Sequence, residues 1–345
     1  MYKNIDKENM FNAIWSLPEN IIDAIELSNT LSPKYSYDNI QNIIIAGMGG
    51  SAIGGDVVSI LESSNIKIPF LICRDYKLPN WVSKNSLVIC SSYSGNTEET
   101  LSVFDESIEI GASVCGITTG GRLLKKLKEF EKDYIQIPSG LQPRAAIAFS
   151  FIPIIKLLEK FGILKSELNK WGKETISSLK VSRDIYSIEN ENNPVYSLAK
   201  NIYNKIPIIY SDKSTMGVNG VRLKGQICEN SKMLAYCNDL PELNHNEIVG
   251  WENNKTILNN LCVLWLKDLN DNERTKHRQD ISNSIIGEMN IDQYSIQMEG
   301  KYFQERFLKM VHYGDWLSFW CAILHGINPS PVDKINRLKE ELGKK

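Results

Sequence analysis

At 345 residues, with 42% hydrophobic and 23% charged side chains, the chain exceeds what one hydrophobic core usually organises and has the balance of an ordinary globular protein, so two domains are expected and a disordered chain is excluded. The formal charge of −2 supplies no basic face for nucleic acid: Arg122, Lys125, Lys126 and Lys128 are soon offset by Glu129, Glu131 and Asp133 and read as a solvated helix face. The seven cysteines are scattered without a C-x-x-C pair, no apolar run nears the ~20 residues of a membrane helix, and the N-terminus has no signal-peptide core. A cytoplasmic protein with reduced thiols, no membrane partner and no zinc site is the expectation.

After a helical lead-in, NIIIAG (42–47), IPFLIC (68–73), SLVICSS (86–92), SVCGIT (113–118) and YIQIP (134–138) read as strands separated by helical stretches. Continuous apolar runs alternating with helices predict a parallel sheet buried on both faces. Residues 151–193 are helix-rich and end in the polar connector IENENNP, which sets the expected domain boundary near Asn190, giving domains of 1–190 and 191–345. A second α/β set follows, with strands IPIIYS (206–211), LCVLWL (261–266) and YSIQM (294–298), then a long aromatic-rich helix over 303–326 and a short one over 331–342.

The first strand ends in GMGGSAIGGD, Gly47 to Asp56. A glycine turn between strand and helix gathers free backbone N–H groups and the positive end of the helix dipole, which attracts phosphate. The same residues fit G-x-G-x-x-A, with Asp75 near the end of the second strand, so a dinucleotide fold stays open on this motif alone. The third strand runs into SSYSGNTEET, Ser91 to Thr100, where Ser92, Ser94 and Thr97 surround Gly95 at the next helix start. One such hydroxyl is ordinary helix capping; three suit a phosphate monoester. Ligands of open α/β sheets bind at the C-terminal ends of strands, so the two loops are expected to converge, with Gly50, Ser51, Ser92, Ser94 and Thr97 as substrate-binding residues.

GMGGS together with SxSGNTEET resembles the signature of sugar isomerase (SIS) domains, which bind phosphosugars. PRAAIAF (143–149), ICEN (227–230), LPELNHNEIVGW (240–251) and NPSPVDKINRLKEEL (328–342) are similar to the bifunctional phosphoglucose/phosphomannose isomerases. The resemblance runs from Gly47 to the C-terminus. It implies two SIS-type three-layer α/β domains, each with a mainly parallel sheet flanked by helices, a homodimer, no cofactor or metal, and interconversion of glucose 6-phosphate or mannose 6-phosphate with fructose 6-phosphate.

Aldose–ketose isomerisation needs a base that moves a proton between C1 and C2, a group that opens the sugar ring, and positive charge at the developing oxyanion. The resemblance assigns the base to Glu229 and ring opening to His245. Of the four histidines, His277 lies in a charged run and His312 and His325 in the aromatic helix, where packing roles are expected. The resemblance also implies that Arg144 supplies a permanent guanidinium to the enediolate and to the bound substrate. Lys339 is the expected C-terminal lysine, with Lys334 as the fallback. Asn328 and Ser330 depart mildly from the family's D-P-T-P stretch, which puts no catalytic role in doubt; any effect is expected on the balance between the two epimers. The competing functions are a phosphosugar-binding SIS regulator without turnover, which could dispense with Glu229, His245 and Arg144, and a nicotinamide-dependent dehydrogenase that would use Asp75.

Overall fold

The structure, a computed structural model, describes residues 2–344 and divides into two compact units, one of residues 16–177 and one of residues 1–15 with 178–345. A short 3₁₀ turn, Tyr2–Asn4, and helix α1 (Met10–Trp15) belong to the second unit, and the chain enters the first through α2 (Leu17–Asn29). Strand β1 (Asn42–Ala46), α3 (Gly49–Leu61), β2 (Phe70–Cys73), β3 (Ser86–Ser92), α4 (Glu98–Ile110), β4 (Ser113–Thr118), α5 (Gly121–Glu129), β5 (Asp133–Gln136) and α6 (Ala148–Lys160) complete it. The sheet is parallel throughout, in the order β2-β1-β3-β4-β5, with Ile45 paired to Ile72 on one side and to Ile89 on the other.

Alternation along the strands divides the core. Ile44, Ala46, Val88, Cys90 and Val114 join Leu101 and Phe104 of α4 and Leu123 and Leu127 of α5 in one layer. Ile45 turns the other way, onto Gly55 of α3. Each fully buried aliphatic or aromatic side chain here contributes ~1.5–3 kcal/mol.

Helix α7 (Leu168–Tyr186) leads into the second unit. There follow α8 (Pro194–Ile202), β6 (Ile206–Asp212), α9 (Gly217–Gln226), β7 (Tyr236–Leu240), α10 (Lys255–Leu258), β8 (Leu261–Lys267), α11 (Glu273–Gly287), β9 (Asp292–Gln297), α12 (Phe303–Leu324) and α13 (Asp333–Leu342). This sheet is also parallel, in the order β7-β6-β8-β9. Strand β7 has no counterpart among the strands expected from sequence: its YCNDL is polar, and it lies at the sheet edge with Tyr236 55% exposed, where the apolar signal of a buried strand is not needed.

The N-terminal residues are held in this unit by aromatic packing. Tyr2 stacks on Phe11 with centroids 4.5 Å apart, and Phe11 meets Trp316 of α12 edge-on at 4.9 Å. Among the described residues no helix is long and apolar enough to cross a membrane.

Candidate active site

In the first unit the chain passes from β1 to β2 on one side and resumes with β3 on the other side of β1. The C-terminal ends of β1 and β3 therefore flank the point where the strand order reverses, the position at which open α/β sheets take ligands. Both glycine- and hydroxyl-rich loops leave the sheet there. They are joined directly: Tyr93 N donates to Ser51 Oγ at 3.0 Å. Within the second loop the Ser92 and Thr97 hydroxyls lie 2.8 Å apart, and Gly95 N donates to Ser92 Oγ at 3.1 Å. Ser92 is buried and knits the loop, whereas Ser94 is exposed and accepts from Asn96 N at 3.2 Å.

Two glycines make this packing possible. Gly95 has φ +68°, and a Cβ there would overlap the Gly120 carbonyl, so an L side chain meets both a strained backbone and an occupied space. Gly95→Ala is expected to cost ~2–4 kcal/mol in denaturant unfolding, from αL strain and overpacking together. An unchanged midpoint would mean that the loop yields freely. At Gly50 a Cβ would lie 2.7 Å from the Pro143 carbonyl, so the first turn of α3 and the turn Pro143–Ala145 meet backbone to backbone. This brings Arg144, 7% exposed, beside the glycine-rich loop, and Tyr93 Oη adds a second tie by accepting from Leu141 N at 3.0 Å.

The corresponding corner of the second unit, between the ends of β6 and β8, is filled. Asp268 accepts from Arg306 Nε at 2.8 Å and Nη2 at 2.9 Å, and Asp271 accepts from Thr215 Oγ1 and from Gln279 Nε2. A buried, paired guanidinium and closely bonded carboxylates offer a phosphate nothing. Burial pushes the Asp271 carboxyl up from its ordinary value.

Glu229 lies where α9 ends in a widened π-type turn, Ile227–Ser231. Such turns are frequent at functional sites. The turn is fixed from behind: Arg222 and Gln226 of α9 bond the buried Asp315 of α12, Asn230 Nδ2 donates to Ser318 Oγ at 2.9 Å, and Ser231 Oγ donates to Ser318 O at 2.7 Å. Glu229 itself is half-buried, in a turn whose Ile227, Asn230 and Ser231 are buried. Lys232, at φ +56°, closes the turn, and its Nζ donates to Glu229 O at 2.7 Å and to Pro329 O at 2.9 Å. The π-turn thus touches the segment that leads through buried Ser330 to α13, where Lys334 and Lys339 are both exposed.

His245 stands elsewhere. It ends the turn Glu242–His245 after β7 and is exposed, while Leu243 is buried and Asn244 Nδ2 is anchored on Ser282 Oγ at 2.7 Å. Helix α9 returns from the C-terminal to the N-terminal edge of the sheet, so Glu229 lies before β7 begins and His245 after it ends. Five strand residues alone span about 16 Å. Of the remaining histidines, His312 is buried and accepts from Trp316 Nε1 at 2.9 Å, His325 meets Tyr203 O at 2.5 Å, and His277 is exposed. Among the described residues no three His, Cys, Asp or Glu side chains gather as metal ligands would.

The backbone has the two-domain SIS fold. It matches a hypothetical protein from Thermus thermophilus with TM-score 0.72 and 12% identity, over 97% of this chain and 90% of the other. The tagatose-6-phosphate ketose/aldose isomerase of Escherichia coli matches with TM-score 0.65 and 14% identity, over 94% and 95%. Residues 191–342 match the family model of the bacterial phospho-glucose isomerase C-terminal SIS domain. The sequence is 42% identical to the bifunctional phosphoglucose/phosphomannose isomerase of Caldicellulosiruptor bescii over 96% of this chain and 98% of that protein. It is 38% identical to that of Aquifex aeolicus over 88% and 91%. The chain belongs to the bifunctional phosphoglucose/phosphomannose isomerase family.

Proposed function

We propose that the chain interconverts glucose 6-phosphate and mannose 6-phosphate with fructose 6-phosphate through an enediol, as a cytoplasmic homodimer that uses no cofactor or metal and has no nucleic-acid partner. The observation that carries this is the pair of joined loops at the switch point of the first sheet, with Arg144 beside them. Backbone N–H groups at the starts of α3 and α4, with the Ser51, Ser94 and Thr97 hydroxyls, hold the phosphate, and Gly50 and Ser92 shape the loops that present them. Glu229 moves the proton between C1 and C2, Arg144 stabilises the oxyanion, and Lys339 adds positive charge from α13. A sensor without turnover would have no use for a carboxylate held on so closely braced a π-turn. The functional domain boundary is taken at about residue 190, where the C-terminal family match also starts.

Glu229 and His245 lie at opposite ends of β7, so one copy of the second unit is not expected to bring both to the same sugar. His245 then opens the ring of the substrate held by the other copy in a dimer.

Ser94→Ala and Thr97→Ala test the phosphate assignment. Each removes a hydrogen bond to a group remote from the reacting carbons, so KM rises by ~1–2 kcal/mol equivalent, about 5- to 30-fold, with kcat little changed. Unaltered substrate affinity in both variants would place the phosphate elsewhere.

A further inference from the structure

The second unit carries a separate hollow of ≈ 450 Å³ at the ends of β6 and β7 and the start of α11. Lys213, Arg274 and Arg278 line it with His245. Among the described residues, none of these three cations forms an ion pair. On a chain whose formal charge is −2, three such cations around one hollow form a local positive field. The opposite sign comes from Asp212, which also lines it. This carboxylate is 3% exposed; its Oδ1 accepts from Ser214 N at 2.8 Å and Ser214 Oγ at 2.6 Å, while its buried Oδ2 has no protein partner. A buried carboxylate oxygen without a donor is costly and calls for one.

We infer that this hollow is a second anion site, distinct from the loops of the first unit, and that it takes a phosphorylated polyhydroxy compound. The phosphate meets Lys213, Arg274 and Arg278, and a ligand hydroxyl donates to Asp212 Oδ2. Arginine forks suit the former contact, and a neutral hydroxyl lets phosphate and carboxylate share one hollow without direct repulsion. Because His245 lines the hollow, an occupant there competes with its work in turnover; that consequence alone rests on the isomerase reading above.

The test is calorimetric titration with inorganic phosphate and with glycerol 3-phosphate on the full chain. The Ser94→Ala/Thr97→Ala protein, weakened in the first-unit loops, retains a phosphate isotherm, and adding Arg274→Gln/Arg278→Gln weakens it at least ~10-fold. Lys213→Gln, at an exposed position, weakens it independently and covers the case in which the double-arginine variant does not fold. Glycerol 3-phosphate binds this site more tightly than phosphate, and Asp212→Asn removes the difference. A loop variant that binds no phosphate, residual binding indifferent to all three cations, or equal affinity for the two ligands overturns the inference. Isomerase turnover is followed in parallel: its absence would overturn the proposed reaction and leave the reading of the titration unchanged.

Discussion

Glu229→Gln is expected to lower kcat by ~10²–10⁴ on both epimers while substrate still binds, because glutamine keeps the size and hydrogen-bonding reach of the side chain but cannot accept the C2 proton. The surrounding π-turn is braced by bonds other than those of the carboxylate. It is held by Asn230 and Ser231 on Ser318 and by Lys232 on backbone carbonyls, so the variant folds and the loss reports on chemistry. If one base serves both reactions, glucose and mannose activities fall together, and exchange of the C2 proton with solvent deuterium falls with them. A variant that keeps near-normal turnover on either epimer would assign the base to another residue.

The second large effect is a rescue. His245→Gln alone is expected to lose ~10²–10⁴ in kcat from the closed-ring substrate, since ring opening then lacks its proton donor. If each site takes Glu229 from one copy and His245 from the other, mixing the two inactive variants after reversible dissociation restores activity. Random re-pairing makes about half of the dimers mixed, each with one intact site of two, so about a quarter of wild-type turnover returns. No recovery, with mixed dimers demonstrated by differential tagging, would mean that both residues act within one copy and that the chain bends His245 back along β7.

Much of the fold was legible because buried parallel strands write themselves as unbroken apolar runs: NIIIAG, SLVICSS and LCVLWL are strands for the reason that both their faces are covered. The exceptions have physical causes. Strand β7 is a polar edge strand, and with it unseen the opposite placement of Glu229 and His245 could not be drawn. Residues 1–15 join the second unit through Tyr2, Phe11 and Trp316, a long-range aromatic contact that no local pattern encodes. The π-turn at Ile227–Ser231 is likewise fixed by Asp315 and Ser318, nearly ninety residues on, and not by its own sequence.

The candidate loops were readable from glycine and hydroxyl spacing, and the structure adds how they are joined, through Tyr93 and Ser51. Unreadable was the asymmetry between the units. Nothing local in DKSTMG signals that the ends of β6 and β8 are closed by Arg306 on Asp268, because the closing residue comes from α12.

The central claim is tested most directly by supplying purified protein with fructose 6-phosphate, in EDTA and without added nucleotide, and following glucose 6-phosphate and mannose 6-phosphate separately. Both products are expected to form, at rates unchanged by the chelator and approaching one equilibrium mixture from either side. Absence of both products, or activity lost in EDTA and restored by zinc, would contradict the account.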